Sequence, residues 1–137
     1  MPAITHLPEL LAHLSPELRA GEYVYATVPH GTAVDLGRVV GTFREAEGLT
    51  LILPREEADL QGLAYDYVAA WITLSVHSAL AAVGLTAAVA TALAAAGISC
   101  NVVAGFHHDH LFVGVEDGER AVAVLRGLAA EHRALLD

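Results

Sequence analysis

The stretch that decides the fold is WITLSVHSALAAVGLTAAVATALAAAGISCNVVAG, residues 71–105. Residues 71–77 alternate between apolar side chains and a mixed set, and that period of two is typical of a half-buried strand. Residues 86–96 are rich in Ala and Leu, which are strong helix formers, and Gly97 is suited to end a helix in the left-handed conformation. The alternation resumes over residues 98–103. The stretch therefore predicts a strand, a helix and a second strand.

The residues that follow predict the rest of one small sheet. Residues 111–115 predict a third strand, and an apolar stripe from Asp117 to about Arg133 predicts a second helix. With one more strand, this β-α-β-β-α order becomes an α+β, ferredoxin-like fold, βαββαβ, whose helices cover one face of the sheet. We expect a strand from the first seventy residues to fill the vacant edge, because a bare apolar edge invites aggregation.

The first seventy residues carry shorter patterns. Alternating or apolar runs predict two strands, at residues 22–28 and 49–53. The pattern of residues 32–44 is ambiguous and allows a further strand at residues 39–43. Helical spacing and composition predict two helices, at residues 7–14 and 55–60. Between the first helix and the first strand, Ser15-Pro16-Glu17-Leu18 predicts a break followed by a short turn.

Charge and composition exclude several classes of function. The chain has a formal net charge of −9 and no lysine, which argues against nucleic-acid binding and excludes a Schiff-base or P-loop lysine. The single cysteine, Cys100, is typical of a reducing compartment. Residues 67–106 carry no Asp, Glu, Lys or Arg, but their polar residues and glycines predict a core or a subunit interface instead of a membrane span. We therefore expect a cytoplasmic homodimer without nucleic-acid or membrane partners.

Three segments resemble a known family. GLTAAV, residues 84–89, and LAAAGIS, residues 93–99, resemble the signature of ACT domains, and FREAEGLTL, residues 43–51, extends the resemblance to small bacterial proteins with two ACT-like halves. The resemblance implies an N-terminal ACT-like half, residues 1–66, and a C-terminal ACT domain, residues 67–137, each with an antiparallel sheet and helices on one face. It also implies a non-catalytic regulatory module that binds an amino acid without a cofactor or metal.

The turn before the central helix is the candidate ligand site. Gly84 lets the backbone approach a ligand because it has no Cβ, and free amides at a helix N-terminus attract a carboxylate. Asp109 is the candidate partner for an ammonium group. The alternative is that Gly84 only permits the turn and Thr86 caps the helix. We expect the ligand at this turn and at a domain or dimer interface, in contact with ten residues: His77, Ser78, Val83, Gly84, Leu85, Thr86, Ala87, His108, Asp109 and His110.

Two other functions stay open. One is a metal-dependent enzyme that uses three histidines, His77, His108 and His110. In a strand, however, His108 and Asp109 would point to opposite faces, so the spacing is a weak metal signature. The other is a purely structural interaction module, because Ala81 and Val83 stand where many ACT domains carry an acidic residue and a proline.

Overall fold

The structure is a computed structural model that describes residues 6–75 and 84–136. Its strands are β1 (Pro16–Leu18), β2 (Tyr23–Val28), β3 (Gly41–Arg44), β4 (Leu49–Pro54), β5 (Val68–Leu74), β6 (Cys100–Ala104) and β7 (Asp109–Gly114). Its α-helices are α1 (Leu7–Ala12), α2 (Arg55–Leu60), α3 (Leu85–Ala95) and α4 (Gly118–Leu136). Within these described residues, no helix is both long and apolar enough to cross a membrane.

The chain forms two compact units that differ in their continuity along the sequence. The terminal unit combines residues 1–19 with residues 70–137, and the central unit is the continuous segment 20–69. The boundary between the units falls within β5. The division predicted near residue 66 stays a prediction; in the compact units, the first nineteen residues group with the C-terminal part of the chain.

The terminal unit has the predicted ferredoxin-like order of strands. β5 lies between β1 and β7, and β7 pairs with β6 in an antiparallel hairpin. β1 is antiparallel to β5 in a register that joins Pro16 to Leu74 and Leu18 to Ile72. The expected strand from the N-terminal part of the chain is thus β1, and it occupies the position that a final strand has in a complete βαββαβ fold.

The predicted turn at residues 15–18 is wrong, because this segment is extended as β1. The amide of Ser75 donates to the carbonyl of Ser15 at 2.8 Å, and the amide of Arg19 donates to the carbonyl of Trp71 at 2.8 Å. These two hydrogen bonds lie immediately before and after β1, and pairing with β5 overcomes the local preference of Ser15 and Pro16 for a turn. Proline is tolerated there because an edge strand need not donate a hydrogen bond on its open side.

The helices of the terminal unit cover one face of its sheet, as predicted. Ile72 and Leu74 of β5 and Leu111 and Val113 of β7 belong to one buried cluster. Three helices contribute the other buried side chains of this cluster, among them Leu10 of α1, Val89 and Leu93 of α3, and Ala121 and Leu125 of α4. Alternation along the strands leaves Trp71, Thr73, His110 and Phe112 for the opposite face.

The central unit is a smaller version of the same plan. β4 pairs with β2 on one side and with β3 on the other, and the first two residues of β5 pair with β2. α2 contributes Ala58 to a core with five strand residues, Val24, Ala26, Val28, Leu51 and Leu53. Between β2 and β3, the chain forms a single 3-10 turn, Leu36–Arg38, and the Asp35 side chain caps it by accepting from the Gly37 amide at 2.9 Å.

The position of α1 gives a test of the terminal unit. Leu10 is fully buried in its core, whereas Glu9 on the same helix is exposed. We expect Leu10→Ala to lower the free energy of unfolding by about 2–5 kcal/mol, since a buried leucine is replaced by a cavity. Glu9→Ala is the matched control and should change it by less than about 0.5 kcal/mol. Urea unfolding measures both, and equal effects would contradict a core role for α1.

Candidate functional site

The first turn of α3 begins at a glycine in the left-handed conformation. Gly84 has φ of +98° and is the N-cap, and its carbonyl accepts the first helical hydrogen bond from the Ala88 amide at 2.9 Å. No side chain caps this end among the described residues, so the alternative reading of Thr86 as the cap is wrong. Thr86 and Ala87 are exposed. Because their amides precede the first helical bond, this turn can donate to an anion from outside the helix.

Packing gives a second reason for glycine at this turn. A Cβ on Gly84 would lie 2.9 Å from Cδ2 of Leu7 in α1. Together with the positive φ, this contact favours glycine at residue 84 whether or not a ligand binds. A bulky substitution at residue 84 would therefore report on folding and binding at once.

The hairpin between β6 and β7 carries the other predicted ligand residues. The Gly105 amide donates to the carbonyl of His108 at 2.8 Å and closes the turn. Asp109 pairs with Ala104 and, by alternation, shares the helix-covered face with Leu111. His110 points to the opposite face, where its Nδ1 meets Trp71. The predicted ligand residues of the hairpin thus lie on two faces of the sheet. Of Asp109 and His110, only Asp109 lies on the face that α3 covers.

The face of the terminal unit's sheet opposite its helices, called the open face below, carries a polar network that was not predicted from the sequence. Nε of Arg19 donates to Oγ1 of Thr73 at 3.0 Å, and the guanidinium lies over the Trp71 ring at 5.0 Å. Nε1 of Trp71 donates to Nδ1 of His110 at 3.1 Å, and Oγ1 of Thr73 lies 3.3 Å from the same nitrogen. The Trp71 ring also stacks on Phe112. Alternation predicts that Trp71 and Thr73 share a face, but Arg19 follows residues 15–18, for which the sequence predicts a turn.

Burial shifts two titratable groups of this hairpin in opposite directions. Burial raises the pKa of the Asp109 carboxyl, and the neighbouring His110 and His108 oppose that shift. Burial lowers the pKa of the His110 imidazole, Arg19 and His108 act in the same direction, and Asp109 opposes them. Both groups therefore favour their neutral forms more than they would in water.

Several other candidates have a simple structural description. Burial raises the pKa of the Cys100 thiol, which disfavours a reactive thiolate. Among residues 6–75 and 84–136, no three His, Cys, Asp or Glu side chains are grouped to hold a metal ion. Nδ1 of His110 already accepts from Trp71, and Nδ1 of His108 is buried with no hydrogen-bond partner in that part of the chain. Three predicted site residues, His77, Ser78 and Val83, lie outside the described residues.

Comparison with known proteins gives a consistent result for both halves of the chain. Residues 2–70 match one family model described as an ACT domain, and residues 67–127 match a second with the same description. A Vibrio cholerae protein of unknown function, described as a possible transport protein, is 49% identical over 90% of this chain and 95% of its own, with a TM-score of 0.82. A search of curated proteins gave no match.

More distant solved structures share the fold. An Agrobacterium tumefaciens protein is 21% identical, with a TM-score of 0.64 over 85% of this chain and 90% of its own. The regulatory subunit of aspartate kinase from Thermus thermophilus is 11% identical, with a TM-score of 0.57 over 85% of this chain and 98% of its own. The α+β, ferredoxin-like fold predicted from the sequence is therefore found in several proteins of similar size.

Two glycines that flank α3 provide a matched test of the turn. Gly84 and Gly97 both have positive φ, but a Cβ at Gly97 would meet nothing within 4 Å. We expect Gly97→Ala to cost about 1–2 kcal/mol of stability for the backbone conformation alone, and Gly84→Ala to cost about 1 kcal/mol more because Leu7 must move. Adding Leu7→Ala to Gly84→Ala should remove that excess in a double-mutant cycle. Additive effects would contradict the contact.

Proposed function

We propose that this chain, which belongs to the ACT-domain family, is a non-catalytic regulatory protein that binds an amino acid. The observation that carries the proposal is the pair of ACT-domain matches, which together extend from residue 2 to residue 127. ACT domains are small-molecule-binding regulatory modules, so two of them in one short chain favour a sensor. The similar fold of an aspartate kinase regulatory subunit supports a role that is exerted on another protein. We place this role in the cytoplasm.

The uncapped first turn of α3 supports a carboxylate site. A carboxylate would receive hydrogen bonds from the amides that follow Gly84, and the positive end of the helix dipole would add a favourable interaction. Thr86 and Ala87 are exposed, so a ligand can reach these amides from solvent. The residues proposed for this part of the site are Gly84, Leu85, Thr86 and Ala87, with Ser78 and Val83 in the preceding segment.

Asp109 supports recognition of the ammonium group. It is half-buried at the start of β7, on the sheet face that α3 covers. Partial burial strengthens the attraction between a carboxylate and an ammonium group, since less water screens the pair. An ammonium ligand would in turn favour the ionised form of Asp109, whose pKa is raised by burial in the free protein. His77 and His108 complete the proposed contacts.

A homodimer is part of the proposal. β6 is an edge strand that pairs only with β7 among the described strands, and Val103 on it is 42% exposed. Phe106 in the adjoining turn is 81% exposed. Two large apolar side chains at one sheet edge favour association with a second copy, because burial in an interface removes them from water.

Amino-acid binding is tested by thermal shift and by a substitution at an exposed amide. We expect one or a few of the twenty amino acids to raise the melting temperature, since a ligand of the native state at 100 times its Kd stabilises it by about 2.7 kcal/mol. Ala87→Asp should abolish the shift, because its carboxylate repels that of the ligand while favouring the helix N-terminus. Ala87→Asn is the neutral control of the same size and should keep most of the shift.

Other outcomes of that screen decide between the functions. Equal shifts in Ala87→Asp and Ala87→Asn would exclude a carboxylate at the α3 turn. A response to divalent metals without a response to amino acids would favour the metal-dependent alternative through His77, His108 and His110. Stability that is indifferent to every ligand would favour the structural module.

The dimer is tested by sizing. Val103→Glu should shift the protein toward a monomer in sedimentation or multi-angle light scattering, because it places a charge in the proposed interface. Leu60→Glu is the matched control, since Leu60 is 75% exposed on α2 of the central unit. A wild-type monomer at micromolar concentration, or equal behaviour of the two variants, would contradict this interface.

A further inference from the structure

The hydrogen bonds around His110 fix the position of its proton. The indole nitrogen of Trp71 can only donate, so Nδ1 of His110, at 3.1 Å, must be the acceptor. Thr73 Oγ1 accepts from Nε of Arg19 at 3.0 Å, and its own proton is free to point to the same Nδ1 at 3.3 Å. The neutral imidazole therefore carries its proton on Nε2. Thr73 is 1% exposed, so this arrangement is shielded from competing water.

The same ring supports the turn between β6 and β7. A Cβ on Gly105 would lie 3.1 Å from Nε2 of His110 and 2.8 Å from the carbonyl oxygen of His108. The backbone of the turn thus approaches one edge of the ring while Trp71 and Thr73 of β5 bond to the other edge. His110 joins the turn, residues 105–108, to β5.

We propose that His110 is a pH-dependent anchor, whose neutral ring holds the turn 105–108 against β5 and whose protonation releases it. Protonation places a hydrogen on Nδ1, where it faces the indole N–H of Trp71. The Thr73 hydroxyl can rotate to accept that hydrogen, but the indole cannot accept. Two donors then oppose each other in a half-buried site, and the contact must open. The mechanism itself needs no bound ligand.

Burial, together with the positive charge of Arg19, favours the neutral ring. Arg19, which follows β1, brings a guanidinium to this site, and His108 and Asp109 are the titratable neighbours on the hairpin itself. β5 contributes the uncharged Trp71 and Thr73, and the partner of His110 on β6 is Val103. Burial, Arg19 and His108 lower the pKa of His110, against the opposing effect of Asp109. The unfolded chain thus binds this proton more readily than the native state does, so stability from this group falls as pH decreases below about 6.5.

Nuclear magnetic resonance tests the proposal on the intact protein. Trp71 is the only tryptophan, so its indole N–H gives one resolved signal. We expect the ring nitrogens of His110 to show the Nε2–H form at pH 8 and to titrate with a midpoint below about 6.5. The Trp71 indole signal should shift or broaden with the same midpoint. An Nδ1–H form, or an indole signal that does not respond to pH between 8 and 5, would overturn the proposal.

Substitution separates His110 from the other seven histidines of the chain, which has eight. His110→Asn places a carboxamide oxygen near the position of Nδ1 and does not titrate, so the indole signal should lose its response to pH. His107→Asn is the control, because His107 is exposed in the same turn and should leave the response unchanged. Persistence of the transition in His110→Asn would assign it to another group. If that variant fails to fold, the wild-type ring titration alone still decides the outcome.

Discussion

The pairing of β1 with β5 is the interaction on which the terminal unit depends. Three residues, Pro16–Leu18, pair with β5 and complete the strands of the terminal unit, whose other strands, β5, β6 and β7, all come from beyond residue 67. The same pairing brings α1 into the core beside α3 and α4, and Arg19 to the open face beside Trp71. A short segment with little sequence signal therefore sets both the core and the polar network.

Much of the architecture could be predicted because local patterns and tertiary demands agree. α2 spans the predicted residues 55–60, and β2 lies within the predicted 22–28, since each is bounded by turn-forming residues and has a clear period. The need for an additional edge strand could be predicted, but the position of β1 could not, because Ser15 and Pro16 favour a turn locally and only the partner strand makes the segment extended. The 3-10 turn at Leu36–Arg38 could not be predicted either, because a single turn is too short to show a period. The Asp35 side chain holds it.

Those features of the candidate site that depend on local sequence could be predicted, and those that depend on contacts between distant residues could not. The glycine turn of α3 is visible in the sequence because a left-handed residue before a helix requires glycine. The role of Leu7 in that requirement depends on a contact across 77 residues of chain (84 minus 7) and has no local signal. Similarly, the alternation of β7 correctly separates Asp109 from His110, but the acceptor role of His110 depends on a tryptophan on another strand.

The interrupted chain of the terminal unit has a consequence for biosynthesis. The ribosome delivers β1 before the central unit and long before β5, so β1 emerges without the partner that makes it a strand. The central unit is continuous and can fold while the rest of the chain is still being made. Closure of the terminal sheet is a late, non-local step, in which the nascent N-terminus returns to β5 after an insert of fifty residues, 20–69, has left the exit tunnel.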